Sequence, residues 1–153
     1  MKEIKFYFYK LEYKLEKNLM NFSLSDYFKT PLDIKQHLFD INENKGFLKK
    51  ITDTIFCFQK FRKDFNPKIK NEITGIERDI ELNANESLIE ETYMYLDFHN
   101  NIMILQNNRA SFNAGAFARY IILLLTQKFK DDFFVCKPII SKDGIENYHI
   151  IML

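Results

Sequence analysis

The stretch Glu91-Thr-Tyr-Met-Tyr-Leu-Asp-Phe98, His99-Asn-Asn101, Ile102-Met-Ile-Leu-Gln-Asn107 decides how the rest of this chain is read. Thr92, Met94, Leu96 and Phe98 share one face of an alternating run. Alternation with period two is the mark of a half-buried strand. Ile102 and Ile104 begin a second apolar run after only three intervening residues. Asn tolerates the positive φ that a tight turn requires, so the two runs are expected to form an antiparallel hairpin.

Further strands are expected on either side. Residues 3–13 alternate, with Ile4, Phe6 and Phe8 on one face and Lys5, Tyr7 and Tyr9 on the other. Thr52–Arg62 is apolar on both faces near Phe56, Cys57 and Phe58, as in a strand interior to a sheet. Gly75–Leu82 spaces Ile76, Ile80 and Leu82 evenly, and Phe133–Ile140 and Ile145–Leu153 complete the set. Pro138 hints at an edge position. Lys14–Phe22 reads as loop or short helix, and Lys142-Asp-Gly144 as a turn.

Two helices are expected. Thr30-Pro31-Leu32-Asp33 carries start signals, and Ile34, Leu38 and Ile41 follow at helical spacing, giving a helix over about 31–42 that ends at Asn42–Gly46. A longer one spans about 114–129, capped by Asn113 or Ser111 and closed by Asp131-Asp132. It is apolar around most of its circumference, so it is buried against a sheet or a partner. Consecutive strands joined by short turns then give an α+β class: a mainly antiparallel sheet with one long buried helix and one shorter helix, in a single domain over 1–153.

Composition sets the limits on function. A chain of 153 residues with 46% hydrophobic and 16% aromatic side chains can build one core and is not disordered. The formal charge of +1 makes no global case for nucleic acid. Heavy use of Lys, Asn, Ile and Phe suits an AT-rich bacterial genome or mobile element. The N-terminus lacks an apolar signal core, and the pure apolar run Tyr120–Leu125 is too short to span a bilayer. A cytoplasmic protein with no membrane association is expected. Cys57 and Cys136 lie in apolar runs and read as buried thiols, with a disulfide left open.

Function is sought first in Arg109-Ala-Ser-Phe-Asn-Ala-Gly-Ala-Phe-Ala-Arg119, where four of the five alanines and two of the four arginines fall. A helix starting near Asn113 leaves its first N–H groups unshielded by bulky side chains. Such an end binds anions, and Arg109, Ser111, Asn113 and Gly115 could close on one. The competing reading is a tight strand-to-helix connection with small residues for close packing. It stands first, because no Gly-x-Gly-x-x-Gly or Walker pattern is present. The second candidate is the run Lys60, Arg62, Lys63 to Lys70, with Phe61 and Phe65 interleaved, a mix suited to phosphate contact and base stacking or merely to a solvated strand end.

Other chemistry finds less support. His37, His99 and His149 are far apart and no Cys or His pair has ligand spacing, so no metal and no cofactor is expected. Glu86, Glu90 and Glu91, with Asp79 and Glu81, are the carboxylates a metal-dependent nuclease would draw on. Glu12-Tyr-Lys14 and Glu43-Asn-Lys45 match a loose nuclease element by composition.

The order Glu90-Glu91-Thr92, a strand, Asn-Asn, a second strand, Gln-Asn-Asn-Arg109 and a helix with Phe117-Ala-Arg-Tyr120 resembles a segment of uncharacterised prokaryotic proteins associated with mobile elements or phage defence. The resemblance spans residues 86–120 and implies a setting, with no functional residue to carry over. The expectation is a non-enzymatic binding protein of such a system that engages nucleic acid or a protein partner. A metal-dependent nuclease and a structural subunit are the alternatives. A homo-oligomer could form through the apolar helix or the C-terminus.

Overall fold

The hairpin at residues 91–107 lies at the centre of the molecule. In the computed structural model, which describes residues 3–14, 23–63, 66–127, 133–138 and 149–150, its strands pair antiparallel with Met94 opposite Leu105 and Leu96 opposite Met103. Asn101 takes the positive φ of 57° at the turn. The Asp97 carboxylate accepts from the His99 and Asn100 N–H groups and holds the turn closed.

In chain order the elements are β1 (Ile4–Lys14), α1 (Leu24–Tyr27), α2 (Ile34–His37), β2 (Phe39–Ile41), β3 (Asn44–Lys50), β4 (Ile55–Arg62), β5 (Lys68–Lys70), β6 (Glu77–Asp79), β7 (Leu88–Asp97), β8 (Ile102–Gln106), α3 (Ala114–Thr126), β9 (Phe133–Pro138) and β10 (His149–Ile150). The main sheet runs β10-β1-β8-β7-β4-β3-β2, with β9 also pairing β1. Every pairing in it is antiparallel. β5 and β6 form a separate two-stranded arm.

This architecture overturns the α+β expectation. The chain is a strand-rich antiparallel half-barrel with only three helices among the described residues, one of them longer than seven residues. The helix expected over 31–42 is the main casualty. Asp33, not Thr30, caps its start by accepting from the Lys35 N–H, and α2 ends after four residues. Leu38 is extended, Phe39 and Ile41 then alternate around exposed Asp40, and all three strand residues pair with β3. Asn42, at φ 58°, makes a two-residue hairpin turn between Ile41 and Asn44, so the signal read as a helix stop is a strand reversal. A ladder partner, present only in the folded chain, outcompetes the helical spacing of Ile34, Leu38 and Ile41. The segment 15–22, the turn at 142–144, Asp131-Asp132 and most of the last expected strand lie outside the described residues.

α3 covers one face of the sheet. Asn113 caps it, and Ala114, Ala116, Phe117, Tyr120, Ile121, Leu124 and Leu125 are buried. They pack with Leu48, Phe56, Phe58, Met94, Leu96, Met103 and Leu105 in one cluster. The helix therefore spends its apolar face inside the chain. Its C-terminal half as far as Thr126 is described, and residues 128–129 of the expected span are not. None of the helices described is long and apolar enough to cross a membrane. Both cysteines are free thiols.

Candidate functional site

Two segments far apart in sequence meet at one end of the sheet. β4 pairs with β7 so that Lys60 lies opposite Glu90 and Arg62 opposite Leu88. Side chains alternate across a strand. Lys60 and Arg62 therefore continue the row of Phe56 and Phe58 on the face that α3 covers, beyond the end of the helix. The loop after β8 folds back over this end. Asn108 Nδ2 donates to the Glu91 carbonyl at 2.7 Å, and Ser111 Oγ donates to the Glu90 carbonyl at 3.2 Å. Asn108 also closes its own turn, its Oδ1 accepting from the Ala110 N–H.

Phe112 is the anchor of the loop. It is buried with its ring centroid 4.8 Å from that of Phe58. Gly46 lies beneath, where a Cβ would come within 3.0 Å of both rings. The Lys60 ammonium sits 5.5 Å from the Phe112 ring centre and donates to the Ala110 carbonyl at 3.4 Å. A cation over an aromatic face is held by the ring quadrupole. Lys60 thus ties the basic run of β4 to the loop that carries Arg109.

The sequence-derived residues end in different situations. Arg109 and Lys63 are exposed. Arg62 is committed, its Nη1 2.8 Å from Glu90 Oε1, with only about a fifth of each side chain accessible. Asn113 Oδ1 accepts from the Ala116 N–H at 2.9 Å and so acts as the cap itself. Its carbonyl accepts from Phe117 N–H. The N–H groups of Ala114 and Gly115 have no acceptor within the helix. Gly115 is exposed, and a Cβ there would meet only Asn113 Oδ1, at 3.4 Å, so glycine is not sterically required. Ser111 serves the loop rather than an anion. Phe65, counted in the basic aromatic run, lies outside the described residues, and Lys68 and Lys70 belong to the separate arm.

A depression of about 280 Å³ opens beside Arg109. Its walls include Tyr7 and Tyr9 from β1, Asn107 and Asn108, Phe112 and Asn113. Asn107 Nδ2 donates to the Tyr7 hydroxyl at 3.3 Å. Burial, then the neighbouring Tyr7, raise the Tyr9 hydroxyl above its ordinary value, so it stays a neutral donor. Sequence reasoning missed Asn107, Asn108 and Phe112. The pair of asparagines after a strand was the available signal, since Asx side chains organise turns.

The carboxylates do not converge. Glu90 and Glu91 are adjacent on β7 and point to opposite faces of the sheet, Glu90 to Arg62 and Glu91 to Cys57 and Gln59. Glu12 pairs with Lys137, Asp79 is exposed on the arm, and Glu86 accepts from the Asn83 N–H. Among the described residues no three His, Cys, Asp or Glu side chains are grouped to hold a metal ion. His37, at the end of α2, bridges two groups: its Nδ1 lies 2.8 Å from the Asp33 carbonyl and its Nε2 3.0 Å from the Tyr27 hydroxyl.

Cys57 is the one thiol in a polar setting, and that setting keeps it inert. Its Sγ–H donates to Glu91 Oε2 at 2.9 Å, and Gln59 Nε2 donates to the same oxygen at 3.1 Å. Burial, reinforced by the carboxylate, pushes the thiol from 9.0 up to about 12. The Cys136 thiol is pushed to about 12 by burial. Only the thiolate is a nucleophile. Neither cysteine of the native protein should react with iodoacetamide at pH 8, whereas both should after denaturation, as intact mass will show. The same shifts fix a pH dependence. A group whose folded value is raised contributes stability that is complete below its unfolded value and is lost as pH rises. The urea midpoint should hold near neutrality and fall progressively above about pH 9, where unfolded thiols ionise.

Compared with known proteins, the chain matches no protein-family model and no curated protein.

Proposed function

We propose that this chain is a non-enzymatic binding protein whose ligand is a nucleic-acid strand, held at the Arg109 end of the sheet. One observation carries the reading. A loop pinned by Asn108, Ser111 and Phe112 presents an exposed arginine beside a depression walled by tyrosine and asparagine. Arg109 supplies a planar fork for a phosphate. Tyr7, 37% exposed, offers a ring on which a base can stack, and the Asn107 and Asn108 carboxamides line the same wall. Lys63 adds an exposed cation near the end of β4. Because Lys60 and Arg62 are engaged internally, the footprint is small, in keeping with a net charge of +1. The resemblance of residues 86–120 supports a bacterial mobile-element or phage-defence setting for this activity.

The test is fluorescence anisotropy with labelled single-stranded DNA and RNA at several salt concentrations. Affinity should fall as salt rises, since phosphate contacts release counterions. Arg109→Ala should weaken binding by roughly tenfold, the loss of one charge-assisted contact, and lower the salt slope by about one. Its exposure means that the urea midpoint should not move. Binding that ignores salt, or survives Arg109→Ala unchanged, would sink this reading.

A further inference from the structure

A second depression, of about 320 Å³, adjoins the one beside Arg109. The two share Gln106, Asn107 and Asn108 as a common wall. The far side of the second is Glu3, Ile4 and Lys5, at the start of β1. The Asn107 N–H donates to the Lys5 carbonyl at 2.8 Å and ties the shared wall to that strand. Lys5 stands two residues before Tyr7, and so about 7 Å away along the strand. A nucleic-acid strand stacked on Tyr7 therefore brings its neighbouring nucleotide to Lys5 and Glu3.

The chemistry of this second wall is mixed. Lys5 is exposed and makes no ion pair among the described residues. It supplies three donors for a phosphate. Glu3 is exposed as well, and a carboxylate only accepts. It repels a phosphate and serves a hydroxyl. Gln106 adds a donor. Its Oε1 accepts from the Tyr93 N–H at 3.1 Å, which fixes the amide and leaves Nε2 without a partner among the described residues. A ribose 2′-hydroxyl both donates and accepts, and it is the group that separates RNA from DNA.

We infer, resting on the binding reading above, that the strand is RNA. The second depression takes one of its nucleotides, with Glu3 accepting from the 2′-hydroxyl, Gln106 Nε2 donating to it and Lys5 meeting the phosphate. Arg109 and Tyr7 hold the adjoining nucleotide.

Anisotropy with labelled RNA, DNA and 2′-O-methyl RNA of one sequence tests this on the whole chain. RNA should bind at least about fivefold tighter than DNA, the worth of one hydrogen bond to a charged group in an open site. The 2′-O-methyl strand lacks the donor and should bind as DNA does. Glu3→Ala should weaken RNA alone and bring the RNA-to-DNA ratio to about one. Lys5→Gln should weaken both strands alike and lower the salt slope by about one. Lys49→Gln, the same charge change on the other face of the sheet, should leave the slope unmoved. Glu3 and Lys5 are exposed, so urea midpoints should hold in these variants. Equal, salt-dependent binding of RNA and DNA would overturn the inference and leave the binding reading standing. So would an RNA preference that survives Glu3→Ala or 2′-O-methylation. Absence of salt-dependent binding to any strand would overturn both.

Discussion

Replacing Tyr120 by Ala should lower the free energy of unfolding by about 3–5 kcal/mol, the range for removing a large buried aromatic. Tyr120 is fully buried on α3, against Phe39 of β2 and Phe58 of β4, with ring centroids 5.2 Å away in each case. Its hydroxyl does a second job. It donates to the His37 carbonyl at 2.7 Å and accepts from the Leu48 N–H at 3.3 Å. β2 is only three residues long and pairs with β3 only as far as Gly46, so Leu48 N–H has no strand partner on that side. The tyrosine thus completes the sheet edge and joins it to the end of α2. Burial raises its hydroxyl well above the ordinary tyrosine value, so it remains protonated as this donor role requires. Tyr120→Phe keeps the ring and strands two backbone groups, and should cost about 1–3 kcal/mol. Urea denaturation of both variants separates ring from hydroxyl. If Phe is indistinguishable from Tyr, the bridge contributes nothing and the edge is held by packing alone.

The same residues show what a local reading can reach. Thr92 to Ile104 announces a hairpin because alternation and an Asn turn lie within 13 consecutive residues. α3 is legible for a similar reason, with a capping Asn directly ahead of an apolar run. The segment from Ile34 to Gly46 is not. Its apolar spacing fits a helix, yet Phe39 and Ile41 gain a ladder from β3, and Tyr120 lies about 80 positions away in sequence from the edge it seals. Nothing local encodes either partner.

The site divides in the same way. Composition marks Arg109 to Gly115 and Lys60 to Lys63 separately. Their meeting depends on the β4–β7 register and on Phe112 turning inward, both of which are long-range facts. Arg62 looked free in sequence because Glu90 is 28 residues away. The small residues ahead of α3 suited both close packing and an open anion site, and the structure divides them. Ala114 and Ala116 are buried, and Gly115 faces outward.

Gly46 supplies a second large effect, one that links core to site. It lies on β3 opposite Lys60 and Phe39, on the face that Phe112 covers. A Cβ at this position would stand 3.0 Å from Phe112 Cε2 and 3.0 Å from Phe58 Cε2. Phe58 is fully buried between Phe117 and Tyr120 and has little room to retreat. Phe112 is the side that can give, and it carries the loop with it. Gly46→Ala should therefore destabilise by about 1–3 kcal/mol through overpacking, and Gly46→Val by more. It should also weaken the proposed nucleic-acid binding, because the loop that carries Arg109 loses its anchor at Phe112. Phe112→Leu removes the ring atoms in question. Alone it costs stability, but combined with Gly46→Ala it should recover part of the loss. The two changes should couple by about 1 kcal/mol in a double-mutant cycle on urea midpoints, with anisotropy following in parallel. Strictly additive costs would mean that the strain is taken up elsewhere, and that the loop is not seated on the Gly46 gap.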